Sequence, residues 1–322
     1  MAKNQYTYAV ARIRSKELTL LNNQILEQLI ASKSYDECIR LLQEKGWGNQ
    51  DTKTAEEILG FEHEKTWELM EELVDDISVF DVFLYANDYH NLKAAIKQAY
   101  VGTEIPNIYL SHGTVKVEDL YTCVKENDFE ALPDHMREAA RDAYQVLFHT
   151  GDGQLCDVII DKAALKAIYK RGKASDNEVL AGFAELKVVA SNINIAIRGN
   201  KTRKGIDFFQ RALAECDTLD IQRLTEAALD SESAIHEYLS STIYSDAVAA
   251  LKESLSAFER WCDNRIMELI KPQRYNPFTI SPLAAFILGR ESEMKSVRIL
   301  LSGKLNDLSE NLIRERLRET YV

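Results

Sequence analysis

Chain breakers are scarce in this sequence: 13 glycines and 5 prolines among 322 residues, about half their usual combined share. So little turn chemistry excludes a β-sandwich, a barrel or a disordered linker protein. Cysteine is scarce as well. Cys38, Cys123, Cys156, Cys216 and Cys262 are odd in number, lie far apart and form no CxxC pair. That argues against a disulfide framework or a zinc knot and points to a reducing compartment. Basic residues fall short of acidic ones, 39 against 51, for a net charge of −12. Neutralising phosphates takes a clustered basic surface, so nucleic acid is disfavoured as a main partner, and so is adsorption to anionic lipid. Long hydrophobic runs are missing too. Met1 to Arg14 has no signal-peptide core, and the uncharged stretches Val188–Ile197 and Tyr275–Gly289 fall short of the ~20 residues needed to cross a bilayer. A role at a membrane would need another chain to hold the protein there.

What is present is helical periodicity. From Ala247 on, Val248, Leu251, Leu255, Phe258, Cys262, Ile266 and Leu269 recur every three or four residues, a stripe that predicts a helix until Pro272 and Pro277. A second stripe runs through Met70, Leu73, Val74, Ile77, Phe80 and Leu84. Others cover Leu18–Ile30, Tyr35–Leu42, Ala139–Phe148 and Leu180–Ile197. No run alternates apolar and polar residues, and no hairpin signal joins β-branched segments. The fold class expected is all-α.

The chain also resembles itself. Ser191–Gly199 can be laid over Lys295–Gly303, followed by Phe208, Phe209 and Leu213 against Leu312, Ile313 and Leu317, at a constant offset of 104 residues. His90–Lys97 reads as an earlier copy and Val10–Ser15 as a truncated one. A second element repeats as well. Leu219–Leu224, followed by Ile235, Tyr238, Leu239 and Tyr244, echoes Leu21–Leu26 followed by Cys38, Leu41, Leu42 and Trp47, and Val117–Leu120 opens the middle version. Three related helical units are expected, at residues 1–105, 106–208 and 209–322.

Catalytic constellations are poor. Asp75, Asp76 and Asp81 spell a DDxxxxD motif like the magnesium-binding motif of helical prenyl-diphosphate synthases. No second copy follows, the expected Arg-Arg pair is replaced by Val82–Asp88, and five residues of helix turn Asp81 ~140° away from Asp76. Acidic residues flanking an apolar stripe are the plainer reading. Arg198-Gly-Asn-Lys-Thr202 imitates the tail of a phosphate loop, but Asn200 separates glycine from lysine. Gly303-Lys304 is followed by Leu305 where a hydroxyl is required. None of His63, His90, His112, His135, His149 and His236 has HExxH or HxH spacing, and Glu62-His63-Glu64 reads as part of an acidic helical surface. The expectation is no catalytic, cofactor-binding or metal-binding residue and no cofactor. Interaction features remain: basic clusters at Arg198, Lys201, Arg203, Lys204 and at Arg314, Arg316, Arg318, and the aromatics Trp47, Tyr244, Tyr275 and Phe278. Each cluster reads either as a docking patch or as a solvated helix face. The aromatics read either as interface anchors or as core fillers.

These blocks carry a family resemblance. Tyr8-Ala-Val-Ala-Arg-Ile-Arg-Ser15 resembles the opening of the C subunit of bacterial and archaeal V-type (A-type) ATPases, a family homologous to the d subunit of eukaryotic V-ATPases. Asn87-Asp-Tyr-His-Asn-Leu-Lys93 is similar to the family's NDxxNL block. Ile280–Phe286 followed by Glu291–Gly303 is similar to its C-terminal signature. The resemblance runs from Tyr6 to Leu317, with one departure: Ser302 stands where the other copies carry Arg198 or Lys97. It implies three helical units in a funnel-like, pseudo-threefold arrangement without catalytic residues of their own. It implies partners in the central shaft subunits and the membrane rotor ring, and coupling of ATP synthesis or hydrolysis to proton or sodium-ion movement. It places the protein on the cytoplasmic face of the membrane, held through the ring, without nucleic acid and without a direct span. A helical-repeat scaffold outside any ATPase is the alternative, and a magnesium-dependent prenyl-diphosphate enzyme using Asp75, Asp76 and Asp81 ranks behind it.

Overall fold

The computed structural model describes residues 6–322, so the first five residues of the stretch Met1–Arg14 lie outside it. No strand occurs among the described residues; the fold is all-α. In chain order the helices are α1 (Thr7–Glu17), α2 (Asn23–Ala31), α3 (Tyr35–Glu44), α4 (Ala55–Leu73), α5 (Asp81–Val101), α6 (Val117–Glu126), α7 (Asp134–Thr150) and α8 (Gly153–Ala174). There follow α9 (Glu178–Lys201), α10 (Ile206–Ala212), α11 (Ile221–Asp230), α12 (Glu232–Ser240), α13 (Ala247–Glu253), α14 (Leu255–Ile270), α15 (Ser281–Leu305) and α16 (Glu310–Arg316). Local chemistry sets many of the starts. Asn22, Ser34, Asp152, Asp220, Ser231 and Ser309 each accept a backbone N–H of the following helix, and Thr54 with Glu57 forms a full capping box on α4.

Three of the expected stripes are interrupted. The stripe from Ala247 is two helices, because Ser254 is extended (φ −173°, ψ 163°) and its hydroxyl caps α14 by accepting from the Ala257 N–H. The stripe from Met70 to Leu84 breaks after Leu73, where Val74 turns extended and a 3-10 turn at Ile77–Phe80 leads into α5. The apolar spacing carries across both breaks, and that is why periodicity alone joined the pieces. The Leu18–Ile30 stripe likewise spans the end of α1, with Leu18 left exposed.

The chain forms two compact units. One combines the residues up to Ile77 with Asn177–Val179 and Ala249–Val322; the other combines Ser78–Asp176 with Leu180–Val248. The core of the first joins chain segments far apart in sequence. Leu26, Leu29 and Ile30 of α2, Cys38 and Leu42 of α3, Trp47, and Ile58 of α4 pack with Val297, Leu300 and Leu301 of α15 and Ile313 of α16. Residues Ser281 to Arg290 of α15 are buried without interruption. In the second unit α8 packs on α5 and α7, and Leu165, Val188 and Ala214 share a core with Tyr169 and Ile195.

The offset of 104 residues is visible in the bonding within each unit. Gly199 of α9 lies where a Cβ would collide with the Phe209 ring of α10, and Gly303 of α15 where one would collide with Ile313 of α16. The absent side chain lets the short return helix close onto the long one. The Lys204 N–H donates to the Gly199 carbonyl (2.9 Å) and the Leu308 N–H to the Gly303 carbonyl (2.9 Å), with Arg203 and Asp307 in the left-handed region at φ 53° and 51°. Further along, the Ala214 N–H donates to Asn192 Oδ1 (3.0 Å) and the Arg318 N–H to Ser296 Oγ (3.3 Å). Asn91 of α5 holds a return segment in the same manner, accepting from the Leu110 N–H and donating to its carbonyl.

Helix α9, 24 residues long, is long and apolar enough to cross a membrane by composition, yet more than half of its apolar window is buried inside the protein. Its Val188, Val189, Ile193 and Ile197 are core residues.

Candidate interaction surfaces

The acidic motif does not assemble. Helix α4 ends before Asp75, so Asp75 and Asp76 stand exposed in a non-helical link. Asp81 opens α5 and pairs with Arg171 at 3.8 Å. Two carboxylates on neighbouring turns of one helix, the geometry that a magnesium-diphosphate site needs, are not formed. Among the described residues no three His, Cys, Asp or Glu side chains gather as metal ligands. The Thr202 hydroxyl, at the end of the phosphate-loop look-alike, donates to the Arg198 carbonyl (2.8 Å). That segment is the C-terminal end of α9, where carbonyls and the negative pole of the helix repel phosphate. Lys304 caps another C-terminus, donating to the Ser32 carbonyl (2.7 Å) and the Ile30 carbonyl. The thiols are quiet: burial pushes Cys156 and Cys216 each up to about 11, which suppresses the nucleophilic thiolate.

Glu62 is no surface residue. It is buried on α4, accepts from the Gly48 N–H (2.9 Å) and from Lys65 (3.0 Å), and pairs with Arg290 of α15. Arg290 also pairs with Glu293, reaches the Thr66 hydroxyl (3.4 Å) and lies 4.8 Å from the Trp47 ring centroid. Glu293 in turn accepts from the Leu21 N–H. Burial pushes its carboxyl up to about 7, with Arg290 opposing. This ionic cluster ties the α1–α2 connection, α4 and α15 into one body. Sequence reading missed it because its partners lie 228 residues apart. The signal that existed was a lone arginine ending the apolar run Leu283–Gly289.

The two basic clusters part company. At the C-terminal cluster, Arg314 makes a two-pronged bond to Glu27 of α2 (3.1 and 2.9 Å). Arg318, nearly buried, bonds Asp263 of α14 (2.8 Å). Burial pulls Asp263 upward, but Lys295 and Arg318 outweigh it and hold the carboxyl below its ordinary range. Arg316 is exposed and meets no carboxylate among the described residues. In the other cluster Lys201 reaches Glu232 at 3.6 Å and Lys204 reaches a neutral amide, Gln154 (2.8 Å). Arg198 and Arg203 are exposed and pair with no carboxylate among the described residues.

The aromatics divide as well. Trp47 and Tyr244 are core residues, each 2 % exposed, whereas Tyr275 is 87 % and Phe278 51 % exposed. Their loop is braced from behind: Arg14 donates to the carbonyls of Gln273 (2.6 Å) and Asn276 (3.1 Å), and Gln273 donates to Glu178 (2.8 Å). A groove of about 460 Å³ between α2 and α3 is rimmed by Glu37, Arg40 and Glu44 and converges on no reactive group.

Comparison with known proteins gives one consistent result. The family model described as ATP synthase (C/AC39) subunit matches residues 9–316. The C subunit of the V-type sodium ATPase of Enterococcus hirae is 23 % identical, with 96 % of this chain and 97 % of that protein covered. The C subunit of the A-type ATP synthase of Methanocaldococcus jannaschii is 24 % identical over 97 % of this chain and 86 % of its own length. Its counterpart in the V-type ATP synthase of Thermus thermophilus is 24 % identical, covering 92 % and 93 %.

Proposed function

The chain belongs to the ATP synthase (C/AC39) subunit family, and from that premise we propose that it is a non-catalytic central-stalk subunit of a V-type rotary ATPase or ATP synthase. In this reading it connects the rotor shaft to the membrane rotor ring and couples ATP synthesis or hydrolysis to proton or sodium-ion translocation. It is peripheral, held on the cytoplasmic face of the membrane through the ring. Its three units, at residues 1–105, 106–208 and 209–322, stand in pseudo-threefold relation. The observation that carries the proposal is the extent of the match: residues 9–316 take in nearly the whole helical body, and relatives named as C subunits align over almost their full lengths.

Physical features agree with a coupling part. Torque transmission asks for stiffness, and long helices closed onto their return segments by buried asparagine bonds and glycine notches supply it. The ionic cluster on Arg290 cross-braces three helical segments.

The test is deletion of this chain from the complex. ATP hydrolysis by the detached head should persist while ATP-driven ion pumping by the membranes is lost, and adding the chain back should restore it. Pumping preserved without the chain would overturn the assignment.

A further inference from the structure

Ten arginines, at 12, 14, 137, 141, 171, 260, 265, 290, 314 and 318, pair with carboxylates inside the protein. At the end of α9 basic side chains cluster instead. Residues 198–211 hold five basic side chains and one acidic one in a chain of net charge −12, and Arg198 and Arg203 meet no carboxylate among the described residues. Arg203 sits in the left-handed region at φ 53°, a position where glycine would serve stability better. Beside it Ile206 is 50 % exposed. Lys204 bonds Gln154 at the start of α8 (2.8 Å), and just before that helix Gly151 approaches the Tyr100 hydroxyl. Tyr100, 47 % exposed, meets the exposed Phe148 edge-on at 5.4 Å. One end of this unit therefore shows uncommitted cations next to uncovered apolar side chains.

We propose that this end of the unit, built on Arg198, Arg203, Lys204 and Ile206 with Tyr100 and Phe148, docks an acidic polypeptide segment bearing an apolar side chain, contributed by another subunit of the complex. The partner's being such a subunit rests on the stalk reading above. Charge complementarity selects the occupant: uncommitted guanidinium groups seek carboxylates, and the neighbouring apolar surface gains from a covering side chain. Anionic lipid fits less well, because the modest attraction of three cations to a charged membrane surface is opposed by the repulsion of an acidic whole.

The experiment adds the purified full chain to the complex lacking it and measures affinity at 50 and 300 mM salt. Arg198→Gln with Arg203→Gly removes both uncommitted charges while suiting the backbone at position 203. This double variant should bind at least tenfold more weakly at low salt, lose most of the salt dependence, and melt at an unchanged or higher temperature. An Ile206→Ser variant should weaken binding without altering the salt slope. Unchanged affinity and slope in the double variant, with the unaltered chain binding normally, overturns this docking surface alone. Failure of the unaltered chain to bind overturns the stalk reading and this proposal with it. Sedimentation of the unaltered chain with vesicles of anionic phospholipid, abolished in the double variant, overturns the protein partner in favour of a lipid surface.

Discussion

Glu293 of the α4–α15 cluster has its carboxyl pushed upward by burial, and its titration should be felt in stability. Its folded pKa of about 7 lies above the ordinary 4.5. Between those two values the folded state therefore holds more protons than the unfolded one. Linkage then requires the contribution of this group to be complete below pH ~4.5 and to drain away as pH rises toward 7. Glu293→Gln should flatten the fall of stability across that window, measured as urea midpoints from pH 4.5 to 8; an unchanged slope would refute the assignment. Asp263 works in the opposite sense, since its lowered pKa withdraws stability as the solution is acidified. Among uncharged groups, Asn192→Ala strips the Ala214 N–H and carbonyl of their partner in a fully buried place. A loss of about 2–4 kcal/mol is expected there, against about 1 kcal/mol for Ser296→Ala, which removes one longer bond. Denaturant titration of the pair distinguishes them.

At the scale of elements, glycine has opposite meanings in two helices. Gly199→Ala would push a methyl group into the Phe209 ring and should cost about 1–3 kcal/mol by overpacking. Gly60→Ala, on the exposed face of α4 with nothing near its Cβ, should stabilise by about 0.5–1 kcal/mol. Thermal melts of the two variants moving in the same direction would contradict this picture. The Gly199 notch and its partner were legible in the sequence, because Gly199 with Phe209 and Gly303 with Ile313 keep one spacing and so one local geometry. The helix breaks were not. Ser254 and Val74 interrupt the backbone without interrupting the apolar spacing, and a capping serine differs from a solvated one only in its backbone angles. Charge was the other blind spot. Glu62 and Arg290 carry the same letters as exposed residues, and only distant partners decide that they are buried.

For the whole molecule, the topology of the first unit sets a folding order. The contacts of Glu62 with Arg290, Leu21 with Glu293, and Tyr321 with Glu17 span 228, 272 and 304 residues. Closing such loops carries an entropic cost that local pairing avoids. Helices α5 to α8, neighbours in sequence and packed together, should gain amide protection first in pulse-labelled refolding. Protection of α2 to α4 should rise together with that of α15. Early independent protection of α2 would show that the amino-terminal helices fold without their distant partner.

The same loops bear on synthesis in the cell. Arg290 emerges 228 residues after Glu62, which at ~5–20 residues per second is a delay of roughly 10 to 45 seconds. Throughout it, Leu26, Leu29, Ile30 and Leu42 have no α15 to cover them. The nascent chain thus carries an uncovered apolar surface for most of its translation, an open invitation to chaperones and to neighbouring nascent chains. Slowing the ribosome between α4 and α15 should lower the yield of folded protein more than the same pause placed after α15.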